Sequence, residues 1–361
     1  MQVLFRQLVS VAAVPTVLAL VCGLLLPGSL LGAAAEEREE GSLERGQEGA
    51  ASSVEPWYRV AAELGDPDAQ VERGFAHLHG RDGSKDVTEA VRWFQKAAEQ
   101  GNAIAQVQLG TLYAAGQEMT AHPEEAIRWY RKAAEQGVAT AQFYLAELYH
   151  RAPESIANPR EAVFWYRKAA EQGIVISALR LADMLRRGEG VAANPEEAVR
   201  WYRQAAEQGN REARVALAYL YYNAHGVEKD LSAALWWYQK AAEQGSGEAQ
   251  LQLAYLYYSG QGIPKNDQAA LYWFGRAAEQ DVVEAQFNLA SLYARGHGTE
   301  RDYLQAYVWY NLAATADEKD EIGKRARAGR AMVSKYLTPE QLLEAQRLAS
   351  ERFFKRKRGK P

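Results

Sequence analysis

Apolar positions recur along this chain in a pattern that keeps step for seven full turns of a 36-residue period. In the stretch from 123 to 135, Ala126, Trp129, Tyr130, Ala133 and Ala134 fall at i, i+3, i+4, i+7 and i+8, which is one face of a helix. The pattern repeats at Trp57, Trp93, Trp129, Trp165, Trp201, Trp237, Trp273 and Trp309, each 36 residues from the next. Only Trp236, of nine tryptophans, stands off this register. Each of the eight is followed by Tyr or Phe, and alanine columns run through Ala90, Ala126 and Ala162 and through Ala97, Ala133 and Ala169. A second stripe, Ala105, Leu109, Leu112 and Tyr113, predicts another helix before it. Gly110 and its equivalents Gly74, Ala146, Ala182, Ala218, Ala254 and Ala290 are all small, which lets a neighbouring helix come close.

Punctuation agrees with this reading. Asp86, Asn158, Asn194, Asp230, Asn266 and Asp302 share an N-cap column, broken only by His122. Pro123, Pro159 and Pro195 follow at the first helical position, where a missing N–H costs nothing. Gly101, Gly137, Gly173, Gly209 and Gly245 close the helix. Each unit is therefore predicted to be a helical hairpin, and the hairpins to stack into an all-α solenoid, with the periodic tryptophans as inter-hairpin core.

The combined motif, as in "AQVQLGTLYAAG" with "HPEEAIRWYRKAAEQG", resembles the Sel-one-like repeat (SLR) family, relatives of tetratricopeptide repeats. The likeness runs from about Trp57 to Ala316, and the ending "YVWYNLAATA" then "LTPEQLLEAQRLA" looks like the closing cap of bacterial exported members. Thr338 serves as N-cap of that last helix. The resemblance implies a right-handed α-solenoid of 36-residue hairpins, a TPR-like superhelix, and a scaffold or adaptor role. One branch of the family staples each hairpin with a disulfide; those cysteines are missing here, so that branch's properties do not carry over. Arg73 in place of the stripe leucine, Asp281 in place of a closing glycine, and the loop "APESIANP" without its Gly-x-Gly predict a modified first unit and two irregular joints.

The ends of the chain read differently. Gln7 to Ala35 carries no charge and finishes in Ala33-Ala34-Ala35, so residues 1–35 read as a secretory signal peptide. An uncleaved membrane anchor is the rival. Cys22, the lone cysteine, follows Val21 and makes a poor lipid-attachment site. Residues 36–54 form an acidic linker expected to be disordered, 55–320 the solenoid (a lone first helix plus seven hairpins), and 321–361 the capping helices and a basic tail. Export to the periplasm is the expected localisation, with secretion as an alternative.

Charge and chemistry narrow the function. The formal net charge of −4 implies no nucleic-acid partner. Residues 352–361 hold six basic groups and no acid, so Arg352 to Lys360 could meet an anionic envelope surface, while residues 36–351 carry 35 basic and 46 acidic groups. No phosphate-binding glycine loop occurs; Gly188/Gly190 and Gly260/Gly262 end the first helices. His77 and His79 diverge on a helix, and His225 and His297 stand two units apart, so no metal is expected. The carboxylates are periodic and form no acid–base pair. Neither cofactor nor enzymatic activity is expected.

The candidate binding residues lie in "AYLYY", found at 218–222 and again at 254–258. Tyr221 and Tyr257 occupy the signature column of Tyr113, Tyr149 and Tyr293 and are expected in the core. Tyr219 and Tyr255 lie six residues after the first-helix alanine, and Tyr222 and Tyr258 nine. At about 100° per residue, both pairs face away from the main stripe, on the side that lines the concave surface of the resembled fold. Tyr219, Tyr222, Tyr255 and Tyr258, flanked by Arg180, Arg186 and Arg187, are therefore the predicted partner-binding residues for a protein or peptide. Trp236 and Tyr272 form a weaker patch on the outer side. An envelope-polymer or membrane-surface role, using exposed aromatics and the basic tail, is the alternative; an enzyme regulator is a second.

Overall fold

The computed structural model describes residues 57–358, apart from 82, 117–121, 152, 154–155 and 316–319. Of Trp57 and residues 356–358 it describes the backbone alone. The segments read as signal peptide and linker lie outside the described residues, as do the side chains of the last basic residues.

Seventeen α-helices, one short 3-10 turn and no strand are present among the described residues. Helix α1 (Trp57–Glu63) stands before seven hairpins. These pair α2 (Pro67–His79) with α3 (Val87–Glu99), α4 (Ala103–Ala115) with α5 (Pro123–Glu135), and α6 (Ala139–Arg151) with α7 (Pro159–Glu171). They continue with α8 (Val175–Arg187) and α9 (Pro195–Glu207), α10 (Arg211–Asn223) and α11 (Leu231–Glu243), α12 (Gly247–Ser259) and α13 (Asp267–Glu279), and α14 (Val283–Arg295) and α15 (Tyr303–Ala313). Each helix packs on the one before and the one after it, so the core is continuous and quasi-one-dimensional. Helices α16 (Glu321–Val333) and α17 (Pro339–Arg358) then close the array against α15.

The helix starts follow from local chemistry. Asp86 caps Glu89 N–H at 3.0 Å, Asn194 caps Glu197 N–H at 3.0 Å, and Asp302 caps Gln305 N–H at 2.9 Å. His122 supplies no such side-chain bond, and Pro123 after it has no N–H to satisfy. The loop between the two helices of a hairpin is closed by one recurring backbone bond. The N–H of the N-cap donates to the carbonyl nine residues upstream: Asp86 to His77 (3.0 Å), Asn158 to Tyr149 (2.9 Å), Asp302 to Tyr293 (2.9 Å). The loop lacking Gly-x-Gly is thus tied like the rest. Asp281 adopts the left-handed φ of 66° that glycine takes elsewhere, so that joint is regular too, at a backbone cost. In the first unit Arg73 donates to Arg59 O at 3.1 Å and lies 4.3 Å over the Trp93 ring, replacing an apolar contact by a cation–π one.

The small column and the aromatic after each tryptophan are two halves of one contact. A Cβ at Gly110 would come within 2.6 Å of the Tyr130 ring, and one at Gly74 within 2.7 Å of the Phe94 ring. Tyr130, Tyr166, Tyr202, Phe94 and Phe274 are accordingly among the most deeply buried side chains. Trp93, Trp129, Trp165, Trp237 and Trp309 are buried as expected, and Trp236 is 50% exposed. Trp201 and Trp273 are only half-buried, which corrects the expectation for them. Lysines lie over the rings of Trp93 and Trp129 (3.9 and 4.3 Å). At the equivalent position after Trp201 stands Gln204, which turns to a backbone carbonyl, and after Trp273 stands Arg276, which turns to Tyr272.

Candidate functional site

The hydroxyl of the buried tyrosine emerges between the two helices of its hairpin, on the face of the first helix away from the main stripe. There it meets a polar side chain from that helix. Tyr130 Oη pairs with Thr111 Oγ1 at 3.0 Å, and Tyr310 Oη with Ser291 Oγ at 2.9 Å. Tyr166 donates to Glu147 at 2.6 Å, and Tyr202 to Asp183 at 2.5 Å. One turn further on, His150 Nδ1 lies 3.2 Å from Tyr166 Oη, and Arg186 Nε donates to Tyr202 Oη at 3.3 Å. Two columns therefore flank every buried ring. Tyr219 and Tyr222 occupy them beside Tyr238, and in the next unit Tyr255 occupies the first against Phe274 with Tyr258 in the second.

The four predicted tyrosines divide by what they touch. Tyr255 sits edge-on to Phe274 at 5.2 Å, donates to Glu284 at 2.7 Å and accepts from Asn288 Nδ2 at 2.6 Å. It spans two hairpins because Phe274 has no hydroxyl to engage it. Tyr219 packs by His225 at 6.0 Å, and its phenol interacts with both Tyr238 and Arg186. Both are drawn into the array. Tyr222 and Tyr258, like the other two, are half-buried. Tyr222 Oη donates to Gln261 Oε1 of the next hairpin at 2.5 Å, with Lys229 5.7 Å from its ring. Tyr258 lies 6.3 Å from the His297 ring of the next hairpin and 5.5 Å from Lys265 Nζ. Loop residues 39 positions downstream thus hold each of these two rings.

The three predicted arginines all stand on α8. Arg180 Nε is 3.6 Å from Glu147, Arg186 is 3.7 Å from Asp183, and Arg187 is 3.3 Å from Glu189. Each is matched by an acid, and of the three Arg186 alone is brought against a predicted tyrosine, Tyr219. Asp183 and Glu189 are near neighbours of their arginines in the chain, and only Glu147 reaches its arginine across the repeat boundary. Glu147, His150 and Asp183 stand in the two columns visible in the sequence, while Gln261, Glu284 and Asn288 carry no such mark. Glu147 and Asp183 are equivalents of Tyr219, and His150 and Arg186 of Tyr222.

Signature tyrosines Tyr221 and Tyr149 pack their rings inward and keep the hydroxyl at the surface. Arg203 donates to Tyr221 at 2.5 Å and Arg131 to Tyr149, from the preceding second helix. Among the described residues no three His, Cys, Asp or Glu side chains gather as a metal site requires. No described helix is long and apolar enough to cross a membrane. At the C-terminal end Arg352 lies 4.7 Å over the Trp309 ring, so the first base of the basic run is engaged with the array.

Comparison with known proteins agrees with this geometry. The Sel1 repeat model matches residues 67–102, 103–138, 139–174, 175–210, 211–246, 247–282 and 283–318. A Sel1 repeat protein from Oxalobacter formigenes is 31% identical over 75% of this chain and 78% of its own, with a TM-score of 0.61. A protective antigen with an SLR fold from uropathogenic Escherichia coli is 27% identical over 84% of this chain and 89% of its own, with a TM-score of 0.47. A search of curated proteins finds no match. Sel1 repeats generally form non-catalytic scaffolds that mediate contacts between proteins. With seven of them in unbroken succession from 67 to 318, this chain belongs to the Sel1 repeat family.

Proposed function

We propose that this chain is an exported, periplasmic adaptor that holds a partner protein or peptide along the concave face lined by its first helices. Tyr222 and Tyr258 are the principal contacts, supported by Tyr219, Tyr255 and the Arg180–Arg186–Arg187 group. The observation that carries this reading is that two half-buried tyrosines, one repeat apart, each meet a loop residue of the next hairpin, Gln261 and His297. A ring already fixed loses little freedom on binding, and tyrosine offers both apolar area and a hydroxyl. Export rests on the uncharged run from Gln7 to Ala35 and its alanine-rich end.

The test is capture from the envelope fraction with wild type and with Tyr222→Ala/Tyr258→Ala. The protein captured by wild type should be lost from the variant by a factor of about 30, which is about 2 kcal/mol, while the melting temperature holds. Equal capture overturns the reading. A mature N-terminus near Glu36 by intact mass supports export, and a chain retaining Met1 in the membrane pellet refutes cleavage.

A second reading, contact with an envelope polymer or lipid surface, draws on Phe164, Trp236 and Tyr272. These exposed rings share one column of the second helices and stand edge-on to the tryptophans that follow them, at 4.9, 4.4 and 4.9 Å. Sedimentation with anionic vesicles or peptidoglycan, lost in Trp236→Ala/Tyr272→Ala and kept in the Tyr222/Tyr258 variant, distinguishes it.

A further inference from the structure

We propose that the outer face of α17 pairs with the same face of a second copy of this chain, running antiparallel, so that the protein forms a two-fold dimer through its last helix. The adaptor reading neither requires this nor follows from it.

The two faces of α17 have different fates. The inner one is committed to the array: Ala345 and Ala349 are buried, Leu342, Leu348 and Phe353 pack on the core, and Arg352 lies 4.7 Å over the Trp309 ring. The outer one carries Leu343 and Phe354, which are 70% and 60% exposed. They stand 11 positions apart in the chain. At about 100° and 1.5 Å per residue, they share one line of the helix and lie about 16 Å from each other. Arg347 and Ser350 fall between them on that line. Arg347 is held by Glu344 at 2.7 Å and Glu351 at 2.5 Å, both on its own helix. Ser350 is small, and its hydroxyl turns back to the Gln346 carbonyl at 2.9 Å. A shallow hollow of about 550 Å³ therefore opens between Arg347, Ser350, Glu351, Phe354 and Lys355.

Charge selects what covers this face. Residues 339–346 hold Glu340 and Glu344 and no base, whereas residues 352–361 hold six bases and no acid. An anionic lipid surface would meet Glu340, Glu344 and Glu351 beside only two apolar side chains, which is a poor match for a helix lying in a membrane interface. A partner helix of one charge would suit one half of α17 and repel the other. A second α17 running antiparallel sets the acids of each copy beside the bases of the other, while a parallel one sets like beside like. In the antiparallel register that seats Phe354 of each copy on Leu343 of the other, Arg347 crosses the small Ser350. The exposed apolar side chains then leave water together. One face of a 20-residue helix is a small interface, so the dimer should have a dissociation constant on the order of 10 µM.

The oligomeric state of the full chain is followed by sedimentation velocity from about 1 to about 100 µM. Wild type should pass from monomer to dimer across that range. Leu343→Asp/Phe354→Asp should raise the dissociation constant by at least about tenfold with the melting temperature unchanged, because both side chains are exposed. Glu340→Lys/Glu344→Lys should remain monomeric, and so should Lys355→Glu/Lys357→Glu. The four charge reversals together should restore the dimer, since acid and base again lie opposite in the antiparallel pair; this arm stands even if the Leu343/Phe354 variant fails to fold. Wild type that is monomeric at every concentration overturns the proposal. A dimer undiminished by Leu343→Asp/Phe354→Asp places the contact elsewhere and overturns it, and so does a fourfold variant that stays monomeric. Monomeric wild type that cosediments with vesicles of phosphatidylethanolamine and phosphatidylglycerol, and loses them with Phe354→Asp, gives the face to a membrane instead.

Discussion

Gln204 Nε2 donates to the backbone carbonyl of Ala170, 3.2 Å away in the preceding hairpin. Elsewhere the equivalent carbonyl is taken by a glutamine of the next first helix: Gln70 to Ala62, Gln106 to Ala98, Gln142 to Ala134, Gln250 to Ala242 and Gln286 to Ala278, at 3.0–3.3 Å. Arg214 Nε does the same for Ala206 at 3.0 Å. In α8 that glutamine is replaced by Ala178, and Gln204 stands where Arg or Lys is usual. Two departures from the repeat therefore compensate each other, keeping a second hydrogen bond on a carbonyl that also accepts from Gly173 N–H at 3.0 Å.

Gln204→Lys is expected to lower stability by about 1 kcal/mol by removing the hydrogen bond between hairpins, leaving the Ala170 carbonyl only its backbone donor Gly173 N–H at 3.0 Å. Adding Ala178→Gln should recover most of it. Beside Ala178, Ser177 is fully buried and its hydroxyl has no hydrogen-bond partner, so Ser177→Ala should raise stability by about 1 kcal/mol. Urea unfolding of the single and double variants measures all three; independent, additive losses for Gln204→Lys and Ala178→Gln would disprove the compensation.

Trp165 is 8% exposed and donates to Glu161 at 3.0 Å, whereas Trp236 is 50% exposed. Trp165→Ala should cost about 3–5 kcal/mol, and Trp236→Ala within about 0.5 kcal/mol. Trp201→Ala should fall between, since its side chain is only partly buried. Chemical denaturation that ranks the three in another order refutes the assignment of core and surface.

The glycine two places after the left-handed residue that closes a first helix does more than end a turn. At Gly226, with φ of 73°, a Cβ would lie 2.4 Å from the carbonyl of Pro195, the first residue of α9 in the preceding hairpin. Gly245 has a similar φ of 83° and open space around it. Gly245→Ala should lose only the left-handed backbone term, about 1–2 kcal/mol. Gly226→Ala must also push two hairpins apart, adding about 1–3 kcal/mol. Matching melting temperatures for the two variants would show that the inter-hairpin contact carries no weight.

The hairpins, their caps and their period were legible because a 36-residue repetition exposes each structural column directly. The small column and the Tyr or Phe after each tryptophan were both visible, although Gly110 and Tyr130 are 20 positions apart. What stayed hidden was pairing between hairpins. Tyr222 meets Gln261 and Tyr255 meets Glu284 across 39 and 29 positions, and neither spacing is a multiple of the period. Columns say which residues are equivalent and not which stand opposite. For the same reason the columns leave Arg180 open although Glu147 is 3.6 Å from it, and they do not distinguish half-buried Trp201 from buried Trp165.

His150 connects two hairpins and should make the array sensitive to mild acid. Its Nδ1 is 3.2 Å from Tyr166 Oη, and its Nε2 is 3.6 Å from Glu189 in the following loop. Burial lowers its pKa; Glu147 and Glu189 pull it up, and Arg180 and Arg151 push it down, with burial prevailing. The folded state therefore favours neutral imidazole more than the unfolded chain does. As pH falls, the unfolded chain binds the proton first, so the stability His150 contributes is present near neutrality and is lost through the range from about pH 7 to about pH 5. His150→Gln removes that proton site. The melting temperature of wild type should exceed that of the variant near pH 7, and the gap should narrow steadily on acidification. A gap that widens toward pH 5 would mean that the carboxylates of Glu147 and Glu189 hold a charged imidazole, and that burial is the weaker effect.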